Sequence, residues 1–177
     1  MLEKYVSKGS KKLRCGFTTG TCAAAASAGA ARMLLSGKVI ENITVITPSG
    51  NSVTVGLTDI KKENDYVSCA VQKDSGDDPD VTDKILVYST VSYEKSGITV
   101  DGGEGVGRVT KKGLKQQIGE AAINPVPRKM IEEQLKTAAS DYSYDGGLKA
   151  VISVPMGIQI AKKTFNPRLG IEGGISI

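Results

Sequence analysis

The feature that most constrains the fold is an alanine-rich stretch that ends at a glycine. Between Thr21 and Gly37 alanine dominates, and methionine and leucine follow it, so strong helix formers fill the segment. A hydroxyl of Thr19 or Thr21 can cap its start, and Gly37 is typical of a helix end. The pattern predicts a helix over 20–36. Because its side chains are small, its axis can approach another backbone closely, and we expect it to pack flat against a sheet.

Most of the remaining chain has strand patterns. Apolar and polar residues alternate on both sides of the turn residues 48–51, which predicts a hairpin over 43–57. Further predicted strands are 66–72, 85–93, 98–100, 148–155 and 157–160. A second helix is predicted over 127–139 with Asn124 as its cap, and one or two helical turns over 111–120. Because hairpins dominate, we expect an α+β fold with a mixed, mostly antiparallel sheet and two or three helices packed on it.

The domain organisation and compartment follow from length and cysteine use. Residues 1–14 form a basic lead-in, expected to be a solvated arm, and 15–177 a single α+β domain. The three cysteines include no CxxC pair, which favours reduced thiols in a cytoplasmic protein and no zinc site. No apolar run is long enough to span a bilayer, and threonines interrupt the only signal-like stretch.

The sequence contains no histidine, although it has 23 Lys and Arg and 19 Asp and Glu. Without an imidazole, a Ser-His-Asp triad, a Cys-His pair and most catalytic zinc sites are excluded. The net charge of +4 is smaller than nucleic-acid binders usually carry. We therefore expect a small-molecule ligand, with no nucleic acid, no membrane and no metal held by the protein itself.

A glycine- and threonine-rich turn precedes the alanine helix. Its candidate binding residues are Thr18, Thr19, Gly20 and Thr21. Free backbone N–H groups at a helix N-terminus suit a carboxylate or a phosphate. The alternative is an ordinary cap, but three threonines and two glycines exceed what a cap needs.

An acidic loop follows the strand predicted at 66–72. Its candidate binding residues are Lys73, Asp74, Asp77, Asp78 and Asp80, and Asp83 follows them. Clustered carboxylates repel one another unless they are solvated or bind a positive group. Three interpretations stay open: a site for a hard cation, whose spacing does not match a calcium loop; a site for a cationic or hydroxyl-bearing ligand; and a solvated turn.

A glycine-rich loop follows the strand predicted at 98–100. Its candidate residues are Asp101, Gly103, Gly105, Gly107 and Arg108. The spacing departs from a dinucleotide fingerprint, but glycines would let a large flat ligand approach the backbone. If a short helix follows, its basic residues share one face, which is either a platform for a polyanion or a solvated face. These residues are Arg108, Lys111, Lys112 and Lys115.

Two Asn-Pro segments complete the candidates. Prolines would hold Asn124 and Arg128 rigidly at the start of the second helix, and Asn166 and Arg168 recur near the end of the chain. Arginine suits bidentate recognition of carboxylates.

Taken in order, these segments resemble one family, the cobalt-precorrin-5B C(1)-methyltransferases of anaerobic cobalamin biosynthesis. The segments that carry the resemblance are 16–26, 73–82, 102–107 with 109–114, 122–128 and 166–177. The resemblance implies methyl transfer from S-adenosylmethionine to carbon 1 of the tetrapyrrole cobalt-precorrin-5B, giving cobalt-precorrin-6A. Members of the family are about twice this length, so it also implies the N-terminal portion of a two-domain enzyme.

The candidate residues agree with that chemistry. Methyl transfer depends chiefly on positioning and desolvation, so a chain without histidine is no contradiction, and we identify no general base. The arginines, the lysines and the N–H groups near Thr18–Thr21 would bind the substrate's carboxylates. Asp74, Asp77, Asp78, Asp80 or Asp101 would face the cationic donor. Cobalt would arrive inside the substrate.

Two alternatives remain. The chain is either active, alone or as a homo-oligomer, or a non-catalytic tetrapyrrole-binding half that needs a C-terminal partner domain. Separately, the Thr-Gly-Thr turn before an alanine helix weakly resembles the phosphate loop of small-molecule kinases, but no Walker lysine pattern is present.

Overall fold

We describe a computed structural model of the chain, in which the described residues are 5–8, 11–164 and 166–177. The elements, in chain order, are β1 (Tyr5–Lys8), β2 (Lys11–Arg14), α1 (Thr19–Ser36), β3 (Asn42–Ile46), β4 (Ser52–Gly56), β5 (Thr58–Lys62), β6 (Tyr66–Gln72), β7 (Leu86–Glu94), β8 (Ile98–Gly102), β9 (Arg108–Val109), α2 (Pro125–Asp141), β10 (Gly147–Ser153), α3 (Gly157–Ala161), α4 (Asn166–Leu169) and β11 (Ile171–Glu172).

The central sheet has the strand order β5-β6-β7-β10-β8. Every neighbouring pair is antiparallel except β10 with β8, which is parallel. Ala150 in the middle of β10 pairs with Val91 on one side and Val100 on the other. Three two-stranded pairs, β1-β2, β3-β4 and β9-β11, lie outside this sheet. The predicted α+β class, with a mixed and mostly antiparallel sheet, is confirmed.

Helix α1 is enclosed rather than laid on one surface. Every residue from Gly20 to Ala31 is buried, because the helix contacts β6 and β7 on one side and α2 and β3 on the others. A Cβ at Gly29 would overlap the side chain of Leu57, so this glycine sets how closely the β4–β5 connection approaches. The expectation of a helix lying flat on a sheet was therefore incomplete: a helix with alanine all round has no polar face to leave in water.

Two buried polar side chains of the sheet are paired with α1 inside this core. The hydroxyls of Ser27 on α1 and Ser89 on β7 lie 2.8 Å apart, and the thiol of Cys69 donates to the carbonyl oxygen of Ala26 at 3.2 Å. Burial raises the pKa of both Cys22 and Cys69 to about 12, so these thiols stay protonated. They are packing residues rather than nucleophiles.

The predicted helices at 20–36 and 127–139, the hairpin and the strands at 66–72, 85–93 and 98–100 are confirmed, with ends that shift by a few residues. Two predictions were wrong. Residues 111–120 contain turns and bridges instead of helix, because Gly113 and Gly119 adopt φ values of 107° and 90°. Residues 157–160 belong to α3 instead of a strand, because Gly157 N–H donates to Val154 at 2.6 Å and closes a turn.

Several short elements were not predicted. Strands β1 and β2 form an antiparallel hairpin within the basic lead-in, where we expected a solvated arm. Strand β5 was missed because it is an edge strand whose polar sequence lacks alternation, and four of its five residues are exposed. No helix in the described part of the chain is both long and apolar enough to cross a membrane.

Candidate functional site

The turn before α1 is built by Thr18. Its backbone is extended, and its Oγ1 accepts a hydrogen bond from the backbone N–H of Thr21 at 3.1 Å. The predicted cap is thus real, but Thr18 supplies it in place of Thr19 or Thr21, because only an extended residue can direct its hydroxyl to the N–H three residues later. Within residues 5–8, 11–164 and 166–177, the backbone N–H groups of Thr19 and Gly20 have no acceptor.

The acidic loop between β6 and β7 folds back onto this turn. Phe17 N–H donates to the carbonyl of Asp74 at 2.9 Å, and Cys15 forms an antiparallel bridge with Gly76. Arg14 N–H donates to the carboxylate of Asp77 at 2.7 Å. Gly76 adopts a φ of 66°, and a Cβ there would overlap the Arg14 carbonyl. The loop and the segment before α1 therefore form one packed unit.

Arg14 and Asp74 form a bidentate ion pair within this unit. The guanidinium nitrogens lie 2.6 and 2.8 Å from the two carboxylate oxygens. Hydrogen bonding to Arg14 holds the pKa of Asp74 far below its usual range, and the same bond raises the pKa of Arg14. Sequence reasoning missed Arg14, although its position just before the threonine turn and the excess of aspartates in the loop were available signals.

Lys73 is buried beneath the loop, with 3% of its surface exposed. Its Nζ donates to the hydroxyl of Ser75 at 2.5 Å and to the carboxylate of Asp80 at 2.8 Å. Partial burial alone would raise the pKa of Asp80, but the bonds from Lys73 and Thr82 outweigh it and lower that pKa to about 2. Asp83 accepts from Ser75 N–H at 2.8 Å, which lowers its pKa as well.

The aspartates of this loop differ in whether their carboxylates are hydrogen-bonded. Asp74, Asp77, Asp80 and Asp83 each accept hydrogen bonds from the chain. Asp78 is exposed, and its carboxylate has no hydrogen bond or ion pair among the described residues. The structure describes no group of three cysteine, aspartate or glutamate side chains arranged to hold a metal ion.

Two cavities share residues 15–19 as part of their lining. The acidic cavity, of about 690 Å³, is lined by that segment together with Leu13, Arg14, Lys73, Ser75, Asp78 and Asp80. The apolar cavity, of about 590 Å³, is lined by that segment together with Gly20, Thr21, Thr47, Pro48, Ser49, Asn51, Val53, Asn124, Val126, Pro127, Met130 and Ile177. Thr18 and Thr19 therefore line two cavities of different chemistry.

The apolar cavity is closed by the start of α2 and the last residue of the chain. Asn124 N–H donates to the carbonyl of Ile177 at 2.8 Å, and Ile177 N–H donates to Ala122 at 2.9 Å. Asn124 occupies the predicted cap position, but its side chain accepts from Gln116 Nε2 at 3.2 Å instead of capping α2. Pro125 and Pro127 carry no N–H, so the wall formed by the start of α2 offers few hydrogen-bond donors.

The backbone of the glycine loop packs against the backbone of β10 and of residues near the C-terminus. Gly103 N–H donates to Ile152 at 2.7 Å, Gly107 N–H donates to Ile175 at 2.9 Å, and Gly105 accepts from Ile175 N–H at 2.9 Å. A Cβ at Gly105 would overlap the carbonyl of Val154. These glycines do not line either cavity described above. They permit a close approach, as predicted, but the approaching groups here are the chain's own backbone.

The predicted basic platform is dispersed. Arg108 donates to Asp101 and to the carbonyl of Gly102, both at 2.7 Å, and its bond lowers the pKa of Asp101. Arg128 donates to the carbonyl of Val100 at 2.7 Å. Both arginines thus hold the end of β8. Without a helix at 111–120, the shared basic face that we predicted does not form.

The other basic candidates lie on the surface. Lys111, Lys112 and Lys115 are exposed, and Lys111 Nζ donates to the backbone carbonyl of Arg168 at 3.3 Å. Arg168 is exposed in α4, and the side chain of Asn166 lies outside the described residues. The three lysines and Arg168 do not line either cavity.

The chain is similar to known proteins over nearly its whole length. A family model described as CbiD matches residues 6–177. A protein of Ruminiclostridium cellulolyticum is 52% identical over 99% of this chain and 46% of its own length. A protein of Geobacillus kaustophilus is 54% identical over 94% of this chain and 45% of its own. Both are named cobalt-precorrin-5B C(1)-methyltransferase.

A crystal structure agrees with these sequence matches. The cobalamin biosynthesis protein CbiD of Archaeoglobus fulgidus superposes with a TM-score of 0.72 at 37% identity, covering 98% of this chain and 55% of that one. The chain spans about half the length of the curated relatives that it matches. Because the family model covers residues 6–177, the chain belongs to the CbiD family.

Proposed function

We propose that the chain forms the ligand-binding half of a cobalt-precorrin-5B C(1)-methyltransferase. The whole enzyme would transfer a methyl group from S-adenosylmethionine to carbon 1 of cobalt-precorrin-5B, giving cobalt-precorrin-6A in cobalamin biosynthesis. The observation that carries the proposal is the pair of cavities that share residues 15–19. Two different ligands held there would meet across Thr18 and Thr19. The names of the relatives supply the reaction.

The apolar cavity suits the tetrapyrrole. Val53, Val126, Met130 and Ile177 offer apolar walls to a flat macrocycle. At one edge, the unbonded N–H groups at the start of α1 suit one of the carboxylates on its rim. Because the prolines of α2 remove donors from the opposite wall, the cavity favours one orientation of such a ligand. Cobalt is part of this substrate.

The acidic cavity suits the methyl donor. Hydroxyls of Thr18, Thr19 and Ser75 line it and can bond ribose oxygens. Asp80 is already neutralised by Lys73, whereas Asp78 retains an unpaired negative charge. A donor with a cationic sulfonium and an ammonium group complements that charge. Of the five loop aspartates, we therefore assign recognition of the donor to Asp78.

The chain's contribution to the reaction is alignment and exclusion of water. S-adenosylmethionine supplies the methyl group, which passes to an electron-rich ring carbon as the bond to sulfur breaks. Holding the two ligands in contact beside Thr18 and Thr19, where the two cavities share lining residues, would align the methyl group with the ring carbon for in-line displacement. Such alignment supplies about 7–11 kcal/mol in favourable cases. We place this activity in the cytoplasm, which the three free cysteines support.

Equilibrium binding tests the proposal. S-adenosylmethionine and a cobalt corrinoid should each bind this chain and the full-length Ruminiclostridium cellulolyticum relative. Asp78→Asn should weaken binding of S-adenosylmethionine by up to about fivefold, as loss of one exposed charge pair predicts. Asp65→Asn, an exposed carboxylate outside the cavity, is the matched control.

Other outcomes separate the alternatives. If this chain binds the corrinoid but not the donor, it is the non-catalytic tetrapyrrole-binding half. If it binds neither while the full-length relative binds both, the assignment of both cavities fails. Thermal stabilisation by ATP alone would revive the phosphate-enzyme alternative.

A further inference from the structure

An apolar groove lies beside α3 and shares no lining residue with the two cavities of the proposed site. This α3 groove has a volume of about 350 Å³ and is lined by Val81, Asp83, Ile85, Met156, Gln159, Ile160, Lys163 and Thr164. Val81 is 76% exposed and Met156 is 50% exposed. Ile85 and Ile160 are buried, with only 6% and 9% of their surfaces exposed, and they supply the apolar base of the groove. Four apolar side chains from two distant parts of the sequence thus converge on one hollow.

Single exposed apolar residues are common and need no explanation, and Val39, which is 62% exposed, is one of them. The α3 groove differs because its exposed members lie beside buried ones in a concave surface with a polar rim of Asp83, Gln159 and Lys163. Concave apolar surfaces with polar rims mark sites where another surface packs. The groove therefore has the features of a surface on which another polypeptide segment packs.

The relatives carry polypeptide beyond the part that this chain matches. This chain accounts for 46% of the Ruminiclostridium cellulolyticum protein and 55% of the Archaeoglobus fulgidus structure, so each has about as much polypeptide again. We propose that the α3 groove docks an aliphatic segment of this further polypeptide, which the relatives carry on the same chain. Interfaces within one chain are small and partly polar, because covalent linkage gives the two parts a high effective concentration.

A second copy of this chain fits the groove less well. A stable interface between separate molecules needs about 800 Å² per partner, far more than four apolar side chains and a short rim supply. An intramolecular partner is free of that requirement. The size of the groove thus favours the linked segment.

Docking there would also act on the acidic cavity. Val81 belongs to the loop that carries Asp78 and Asp80, so this one loop contributes lining residues to both the acidic cavity and the α3 groove. Lys73 N–H donates to the carbonyl of Ile85 at 2.9 Å, which ties the buried lysine to the base of the groove. A segment packed on Val81 and Ile85 would fix this wall of the acidic cavity. The docking proposal itself does not depend on which ligands the cavities bind.

Cysteine labelling tests the proposal. Val81→Cys and Met156→Cys are made in this chain, and cysteines are placed at the aligned positions of the full-length Ruminiclostridium cellulolyticum relative. Val39→Cys in this chain is the exposed control, and labelling in denaturant gives the intrinsic rate at each position. Peptide mass spectrometry separates these thiols from the native cysteines. Both groove cysteines should react as fast as Val39→Cys here and at least tenfold more slowly in the relative.

Two results would overturn the proposal. The first is equal labelling of the groove positions in this chain and in the full-length relative. The second is protection in the relative that disappears on dilution, because a second copy would then be the occupant. All three positions are exposed, so the variants should keep the fold, and an unchanged melting temperature by circular dichroism confirms it.

Discussion

The turn before α1 and the glycine loop at 101–107 both contain glycine beside a regular element. The turn precedes helix α1, and the glycine loop continues from the end of strand β8. The turn lines two cavities, and the N–H groups of Thr19 and Gly20 find no acceptor in the part of the chain that the structure describes. The glycine loop, in contrast, bonds to β10 and to residue 175. Glycine therefore permits a close approach but does not select which group approaches. A hydroxyl-rich turn beside a helix N-terminus is the more specific indicator of a ligand.

The largest expected effect separates the two regions by stability. Gly105→Ala should destabilise the fold by about 3 kcal/mol or more, because its φ of 73° is strained for alanine and its Cβ would overlap the Val154 carbonyl. Gly50→Ala is the matched control: its φ of 78° is similar, but open space surrounds it, so about 1 kcal/mol is expected. Urea unfolding measures both. Equal losses would show that Gly105 is not a packing residue.

A smaller effect is expected at the acidic cavity, where binding should change more than stability. Lys73→Met removes the ammonium that bonds Ser75 and Asp80, at a cost of about 2 kcal/mol in unfolding free energy. It also leaves a second unpaired carboxylate beside Asp78, so binding of S-adenosylmethionine should strengthen or persist. Calorimetric titration measures this affinity. A complete loss of donor binding without unfolding would show that Lys73 itself contacts the donor.

The smallest effect is a pH dependence. The pKa of Asp80 is about 2 in the folded chain, below the value of about 3.9 expected for an unfolded aspartate. Its stabilising contribution is therefore present above about pH 4 and is lost as the pH falls towards 2. Asp80→Asn should reduce the loss of unfolding free energy that occurs as the pH falls between these values. Asp65→Asn should leave that loss unchanged, and the comparison is made by thermal unfolding at successive pH values.

The predictions succeeded where local pattern decides structure. The alanines of α1, the turn at 48–51 and the alternation in β6 and β7 carried enough periodicity to place those elements. They failed at 111–120, where two glycines with positive φ prevent a helix. They also failed at 157–160, where a tight turn closed by the N–H of Gly157 begins a helix. The pairing of Arg14 with Asp74 joins residues sixty positions apart, and no short pattern encodes that contact.

From the sequence we could infer the class of fold, helix α1 and the family, because hydrophobic period and ordered motifs are properties of the linear chain. Tertiary structure alone decided which candidates meet. It placed Thr18, Lys73 and Asp78 around one hollow, with Asn124 beside the neighbouring one, and it used Arg108, Arg128 and the glycine loop to hold the end of the sheet. The physical reason is that a charged or flexible residue bonds whichever partner folding brings near, and local sequence does not specify that partner.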